Sequence, residues 1–400
     1  MIRAKVHPRG IRCLSACLAV LMLLCLPLSV AARDNSDPSV MPIGVMDTAP
    51  TLDCKSAVLM EASTGTILYE QNPAEAMPPA SVTKIMTLLL VMEAIEEGRL
   101  KMDDMVTASA HAASMGGSQI YLKEGEQMTA RDMIKSVVIA SANDAAVALA
   151  EHVAGSEEAF VARMNERARE LGMISTNFEN TNGLDDTAQN HVTSAKDIAI
   201  MSRALIEHPD ILSYSSIWMD TIRDGTFGLT NTNRLVRFYR GCNGLKTGST
   251  QKAGFCISVT AERDGMTLIC VIMGAESRDI RNASATKLLD WGFANYGLYT
   301  AEVGELTPLR VCGGERDAVM IQYPRFTAVL PKGDVSSVEQ KIELPESVSA
   351  PIRAGEAVGK VIYSCRGTPI GEVAVSSVET VEPIGFGTLW VRLFCRFLTA

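Results

Sequence analysis

The sequence predicts an α+β protein: one antiparallel sheet covered by helices, then a second small β domain, then a C-terminal amphipathic helix. Three observations carry that prediction. Strand-hairpin patterns flank a helical middle within roughly the first 300 residues. Beyond them, short β-rich runs alternate with Gly and Pro turns. The last segment repeats apolar residues at helical spacing. A chain of 400 residues, 47% hydrophobic and 21% charged, has the length and apolar content for a large core and two domains.

Residues 1–31 read as a secretory signal peptide. A basic n-region (1–12) precedes Leu14–Leu28, an apolar run of about 15 residues, short for a spanning helix. Ser29-Val30-Ala31-Ala32 supplies small residues for cleavage. Residues 32–52 read as a poorly ordered linker. Ser56–Ala62 and Thr66–Glu70 flank Ser63-Thr64-Gly65 as a hairpin. Ser81–Glu97 reads as a helix ended by Gly98, with apolar Ile85, Leu88, Leu89, Met92 and Ile95 at three- to four-residue spacing. Thr129–His152 gives more helix, and Ser194 with Asp197 resembles a capping box opening another. Gly254–Ala261 and Met266–Gly274 read as strands joined by Arg263-Asp264-Gly265, and Arg278–Tyr296 as a helix. Ala318–Tyr323, Phe326–Leu330 and Gly359–Ser364 are strands of the small domain. Leu389–Leu398 sets Trp390, Phe394 and Phe397 against Arg392 and Arg396, a pattern suited to a membrane interface.

The formal charge is −9. The leader carries Arg3, Lys5, Arg9 and Arg12 and no acid, so the remainder has 33 basic against 46 acidic residues. That balance argues against nucleic acid as a partner. Seven cysteines remain after the leader: Cys54, Cys242, Cys256, Cys270, Cys312, Cys365 and Cys395. Their spacing shows no zinc pattern, so no metal or cofactor is expected. Cys256 and Cys270 read as small buried hydrophobes, and a Cys242–Cys256 disulfide stays open.

Three motifs fall in order: Ser81-Val82-Thr83-Lys84, Ser141-Ala142-Asn143 and Lys246-Thr247-Gly248. Other S-x-x-K strings start at Ser249 and Ser284, and another S-x-N at Ser175, but only Ser81 has both partners downstream. A serine hydroxyl needs a base to become a nucleophile. Lys84, one helical turn on, shares its face. It must lose its charge, moving from about 10.4 toward neutrality at a cost of ~4 kcal/mol. Burial and a second cation, Lys246, are the available causes. Ser141 can relay a proton, and Asn143 can bond both Lys84 and a substrate amide. Lys246 and Thr247 suit a terminal carboxylate, and Gly248 lets a substrate backbone lie close to the strand. The N–H groups of Ser81 and Ser249 suit an oxyanion.

With these motifs, and with Pro79–Thr87, Gly244–Gly248, Asn182-Gly183-Leu184-Asp185 and Met273-Gly274-Ala275, the chain resembles the low-molecular-mass penicillin-binding proteins, serine-type D-alanyl-D-alanine carboxypeptidases. The resemblance implies a serine β-lactamase/transpeptidase-like fold at 53–300, a small β domain at 301–383 and an anchor helix at 384–400. It implies a Ser81 acyl-enzyme with Lys84 as base, assisted by Ser141 and Asn143. Lys246, Thr247, Gly248, Ser249 and Arg281 would then bind substrate. Its implied partners are the peptidoglycan stem peptide, β-lactams and, through the last helix, a membrane surface, at the outer face of the cytoplasmic membrane. Thr232 stands where some members carry a basic residue, which shifts carboxylate binding toward Lys246, Thr247 and Arg281. A class A β-lactamase lacks support, since no E-x-x-L-N stretch lies between Ser141 and Lys246. A D,D-endopeptidase and a catalytically silent sensor stay open.

Overall fold

The structure is a computed structural model that describes residues 48–185 and 188–399. The leader 1–31 and the linker up to residue 47 lie outside the described residues. The linker's last residues are tied down rather than loose. Leu52 is buried, Tyr69 donates to Pro50 O, and Lys287 donates to Thr51 O.

Five strands make the central sheet: β1 (Ser56–Glu61), β2 (Ile67–Gln71), β3 (Cys242–Thr250), β4 (Gly254–Arg263) and β5 (Met266–Ala275). Their order is β2-β1-β5-β4-β3, antiparallel throughout, so terminal hairpins merge into one sheet and β3 is an edge. Asp264 and Gly265 both have positive φ, the backbone a tight β4–β5 hairpin needs. Alternation sends Ala57 and Leu59 to one face and Val58 and Met60 to the other.

The first face packs on α4 (Arg278–Asn295) through Ala285, Leu288, Leu289 and Phe293. The second packs on α1 (Lys84–Glu96) and α3 (Ala195–Ile206), with α2 (Asn143–Ala154) against α1 in the same core. Every residue of α1 from Lys84 to Met92 is buried, so the apolar stripe read from the sequence understates a helix enclosed on all sides.

The long helix expected at 129–152 is broken. Ala130–Lys135 is α-helical, Ser136–Ala140 forms a π turn, and Ser141 adopts φ +64° before α2 begins. Only half of the capping box at α3 forms. Ser194 Oγ accepts from Asp197 N, while the Asp197 carboxylate turns instead to Ser175 N and Thr176 Oγ1.

After α4 the chain enters a small β domain with a six-stranded sheet and its own core around Val319, Val361, Tyr363 and Val375. Phe326 stacks on Tyr363 at 4.1 Å. The last helix spans Phe386–Thr399, and no described helix is long and apolar enough to cross a membrane. Phe386, Trp390, Phe394 and Phe397 are exposed. Arg392 ties the helix to Asp317 Oδ1 and to the carbonyls of Gly314 and Glu315. All seven described cysteines are free thiols, so the Cys242–Cys256 bridge is not formed.

Candidate active site

The turn that carries Ser81 is held from behind. Ala80 takes φ +49°, unusual for a residue with a Cβ, and starts the short 3-10 turn Ala80–Thr83. Thr83 Oγ1 donates to Ala80 O at 2.9 Å. His191 Nδ1 accepts from Glu179 N at 2.9 Å, which puts the ring proton on Nε2, 2.7 Å from Thr83 Oγ1. The imidazole therefore donates to the hydroxyl, and the hydroxyl to the carbonyl. Burial pushes His191 down to about 4, which keeps it neutral.

Lys84 opens α1 with its side chain fully buried. Its Nζ lies 2.9 Å from Ser81 Oγ, 2.6 Å from Asn143 Oδ1 and 2.7 Å from Asn182 O. Asn143 Oδ1 and Asn182 O can only accept. A neutral amine gives them its two protons and leaves its lone pair for the Ser81 hydroxyl. Burial moves the lysine well below its ordinary range, and the Lys246 cation adds to this, opposed by Asp144. The structure thus brings both causes expected from the sequence to Lys84. Asn143 is fixed in turn, since its N and Nδ2 donate to Ser118 O and Gly116 O, both at 2.7 Å.

From the edge strand, Lys246 Nζ donates to Ser141 Oγ at 2.8 Å and to Thr247 O at 2.9 Å. Burial first, and then Arg281, lowers it to about 7. This differs from the sequence reading, in which the amine itself meets a carboxylate. Lys246 is 1% exposed and works behind the cavity wall, while Thr247, Gly248, Ser249 and Arg281 line it.

Gly248 has a further reason beside the one expected. A Cβ there would stand 2.8 Å from Ser81 N and 2.9 Å from Pro79 O, so its first close neighbour is the serine turn. Thr247 Oγ1 donates to Thr232 Oγ1 at 2.8 Å. Arg281 is buried, with one nitrogen on Cys256 O and two on Asn282 Oδ1. Burial, and then Arg278, lowers it to about 10.

These residues meet at a cavity of about 640 Å³ with Ser81 and Ser141 in its lining. All nine residues expected from the sequence lie in or directly behind this one site.

Other contributors had no assigned chemistry. Asn182 acts through its backbone carbonyl, which no side-chain pattern reveals. Gly183 has φ +84° and presses against Ala80. Glu157 accepts from Thr181 N, Thr181 Oγ1 and His111 Nε2, which clamps the loop next to Asn182. The string Asn182-Gly183-Leu184-Asp185 was the signal, though it told of kinship rather than of contacts.

A serine hydroxyl against a buried amine, beside the edge strand of a sheet, defines a serine-type acyl-transfer enzyme. Comparison with known proteins narrows this. A family model described as D-alanyl-D-alanine carboxypeptidase matches residues 44–277, and one for the C-terminal domain of penicillin-binding protein 5 matches 304–383. The chain is 39% identical to the D-alanyl-D-alanine carboxypeptidase DacF of Bacillus subtilis, over 95% of this chain and 97% of the relative. It is 34% identical to DacC of Escherichia coli, over 87% and 90%. Penicillin-binding protein 5 of Haemophilus influenzae superposes with TM-score 0.74 at 32% identity, covering 85% of this chain and 100% of that one. The chain belongs to the D-alanyl-D-alanine carboxypeptidase family of serine peptidases.

Proposed function

We propose that this protein removes the terminal D-alanine from peptidoglycan stem pentapeptides and that Ser81 is the residue acylated. Lys84 Nζ takes the Ser81 proton as Oγ attacks the carbonyl of the penultimate D-alanine. The N–H groups of Ser81 and Ser249 receive the oxyanion. Ser141, bonded to Lys246, passes a proton to the departing D-alanine amine, and the C–N bond breaks. Water activated by Lys84 then hydrolyses the ester and restores Ser81. Thr247 and Arg281 hold the terminal carboxylate, with Lys246 supplying positive charge from behind.

The observation that carries this reading is the set of three partners around Lys84 Nζ, two of which can only accept. β-Lactams enter the same chemistry as amide mimics. In support, penicillin-binding protein D2 of Listeria monocytogenes, solved in an ampicillin-bound form, matches this chain at 33% identity and TM-score 0.56, covering 61% of this chain.

The proposed domain division is 53–300 for the peptidase, 301–383 for the β domain and 384–400 for a peripheral membrane anchor. The leader 1–31 would export the chain to the outer face of the cytoplasmic membrane. The exposed aromatic row on the last helix supports the anchor. Incubation with a pentapeptide ending in D-Ala-D-Ala tests the activity. Free D-alanine should appear, and Ser81→Ala should abolish both its release and labelling by fluorescent penicillin. Labelling that survives the substitution would refute the assignment.

A further inference from the structure

Asp144 is a buried acid that the chemistry above does not use. It is the second residue of α2, beside Asn143, and is wholly enclosed. Its Oδ1 accepts from Ile120 N and Ala145 N, and its Oδ2 from Ile120 N and Leu122 N, at 2.9 to 3.2 Å. Main-chain donors on both oxygens suit an anion. Among the described residues these N–H groups are the carboxylate's only hydrogen-bond partners, and no cation pairs with it. A buried charge without an opposite charge against it is costly to keep, so its place calls for a reason.

The neighbouring lysine supplies one. Lys84 Nζ lies 2.6 Å from Oδ1 of Asn143, the residue just before Asp144. In the proposed acylation, Nζ takes the Ser81 proton while Oγ bonds to the carbonyl carbon. A buried neutral amine becomes a buried ammonium, and negative charge moves to the carbonyl oxygen. The three groups bonded to Nζ carry no formal charge. Lys246, from the edge strand, opposes the new ammonium, and the Asp144 carboxylate favours it. The other charged groups packed nearby are engaged elsewhere. Arg223 meets Ile120 O and is paired with Glu126, and Glu157 is bonded to Thr181 and His111. His191 meets Thr83 and is held neutral.

We infer that Asp144 is the counter-charge for the Lys84 ammonium that forms during acylation, beyond any part it has in holding the loop of Ile120 and Leu122. The inference rests on the proposed role of Lys84 as base.

The test is stopped-flow acylation of the full-length protein by penicillin from pH 5 to 10. Asp144→Asn and Asp144→Ala both remove the charge, and Ala keeps the inference testable where Asn does not fold. Without the carboxylate the ammonium is less favoured, so the amine loses its proton at lower pH. The acid limb should move down by roughly one pH unit in either variant. The rate on the plateau should fall about fivefold, since the amine is a weaker base. Asp144→Glu keeps the charge and should keep the limb in place, even where a shifted loop slows the reaction.

A purely structural role would lower the rate and leave the limb where it is. That result overturns the inference and spares Lys84 as base, as does a limb that moves upward or one that moves as far in Asp144→Glu. Failure of both neutral variants to fold makes the carboxylate structural and overturns it too. A parent profile with no acid limb at all removes Lys84 as base, and the inference with it.

Discussion

A Cβ built on Gly183 would stand 1.9 Å from the carbonyl oxygen of Ala80, the residue just before the proposed nucleophile. Two unusual backbones, φ +84° and φ +49°, are therefore pressed together behind Ser81. The glycine is needed for its conformation and for its absent side chain alike. Gly183→Ala should slow labelling by fluorescent penicillin by about a hundredfold or more, since small misplacements of reacting groups carry such penalties. A labelling rate within twofold of the parent would show that this contact does not set the position of Ser81.

Lys246 and Lys84 give an expectation about pH. The Lys246 charge helps hold the Lys84 amine below its ordinary range. Removing that charge raises the amine's pKa, so less of it is unprotonated at a given pH. In Lys246→Met the acid limb of the penicillin acylation profile should shift to higher pH, and the rate at pH 7 should fall about tenfold or more. Stopped-flow acylation from pH 5 to 10 reads both. An acid limb that stays in place would remove Lys246 as a cause.

His191 makes a claim about stability. Its folded value is depressed to about 4 from an ordinary 6.5, so the unfolded chain takes up a proton first as pH falls. Stability is fully present above about 6.5 and is lost as pH drops toward 4, by on the order of 3 kcal/mol for this one group. In His191→Asn, thermal unfolding should start lower but slope less between those pH values. Parallel curves for variant and parent would contradict the neutral, donor role given to the ring.

The last helix turns Phe386, Trp390, Phe394 and Phe397 outward while Arg392 is pinned to the β domain. Ending the chain after Pro383 should release the exported protein from membranes and leave penicillin labelling within about twofold, since no described residue of that helix lines the cavity. Membrane pelleting of the truncated form would argue for an attachment elsewhere.

Much of this was legible in the sequence because the chemistry sits in side chains at short, ordered spacings. Ser81, Lys84, Ser141, Asn143 and Lys246 announce themselves, and so do the hairpins that build the sheet. What was not legible acts through the main chain or through enclosure. The Asn182 carbonyl that receives Lys84 would be the same on any residue. The break at Ser141 depends on a left-handed backbone that its neighbours impose, not on helix propensity. Lys246 was read as a second cation in the cleft that also meets a carboxylate, and nothing local says that its amine is enclosed behind the wall. Gly248 was read as room for a substrate backbone, and no local pattern tells that a Cβ there would also meet the serine turn.

The strand that holds Thr247 is the last in its sheet. A free border of that kind is normally a hazard, since any extended chain can dock there and aggregate. Here it lies beside the serine turn and Arg281 within a lined cavity, where an extended peptide can add along it. Docking of that sort measures handedness and extension before it measures side chains. The same economy leaves the enzyme exposed to small rigid impostors that copy a main-chain amide and then fail to depart.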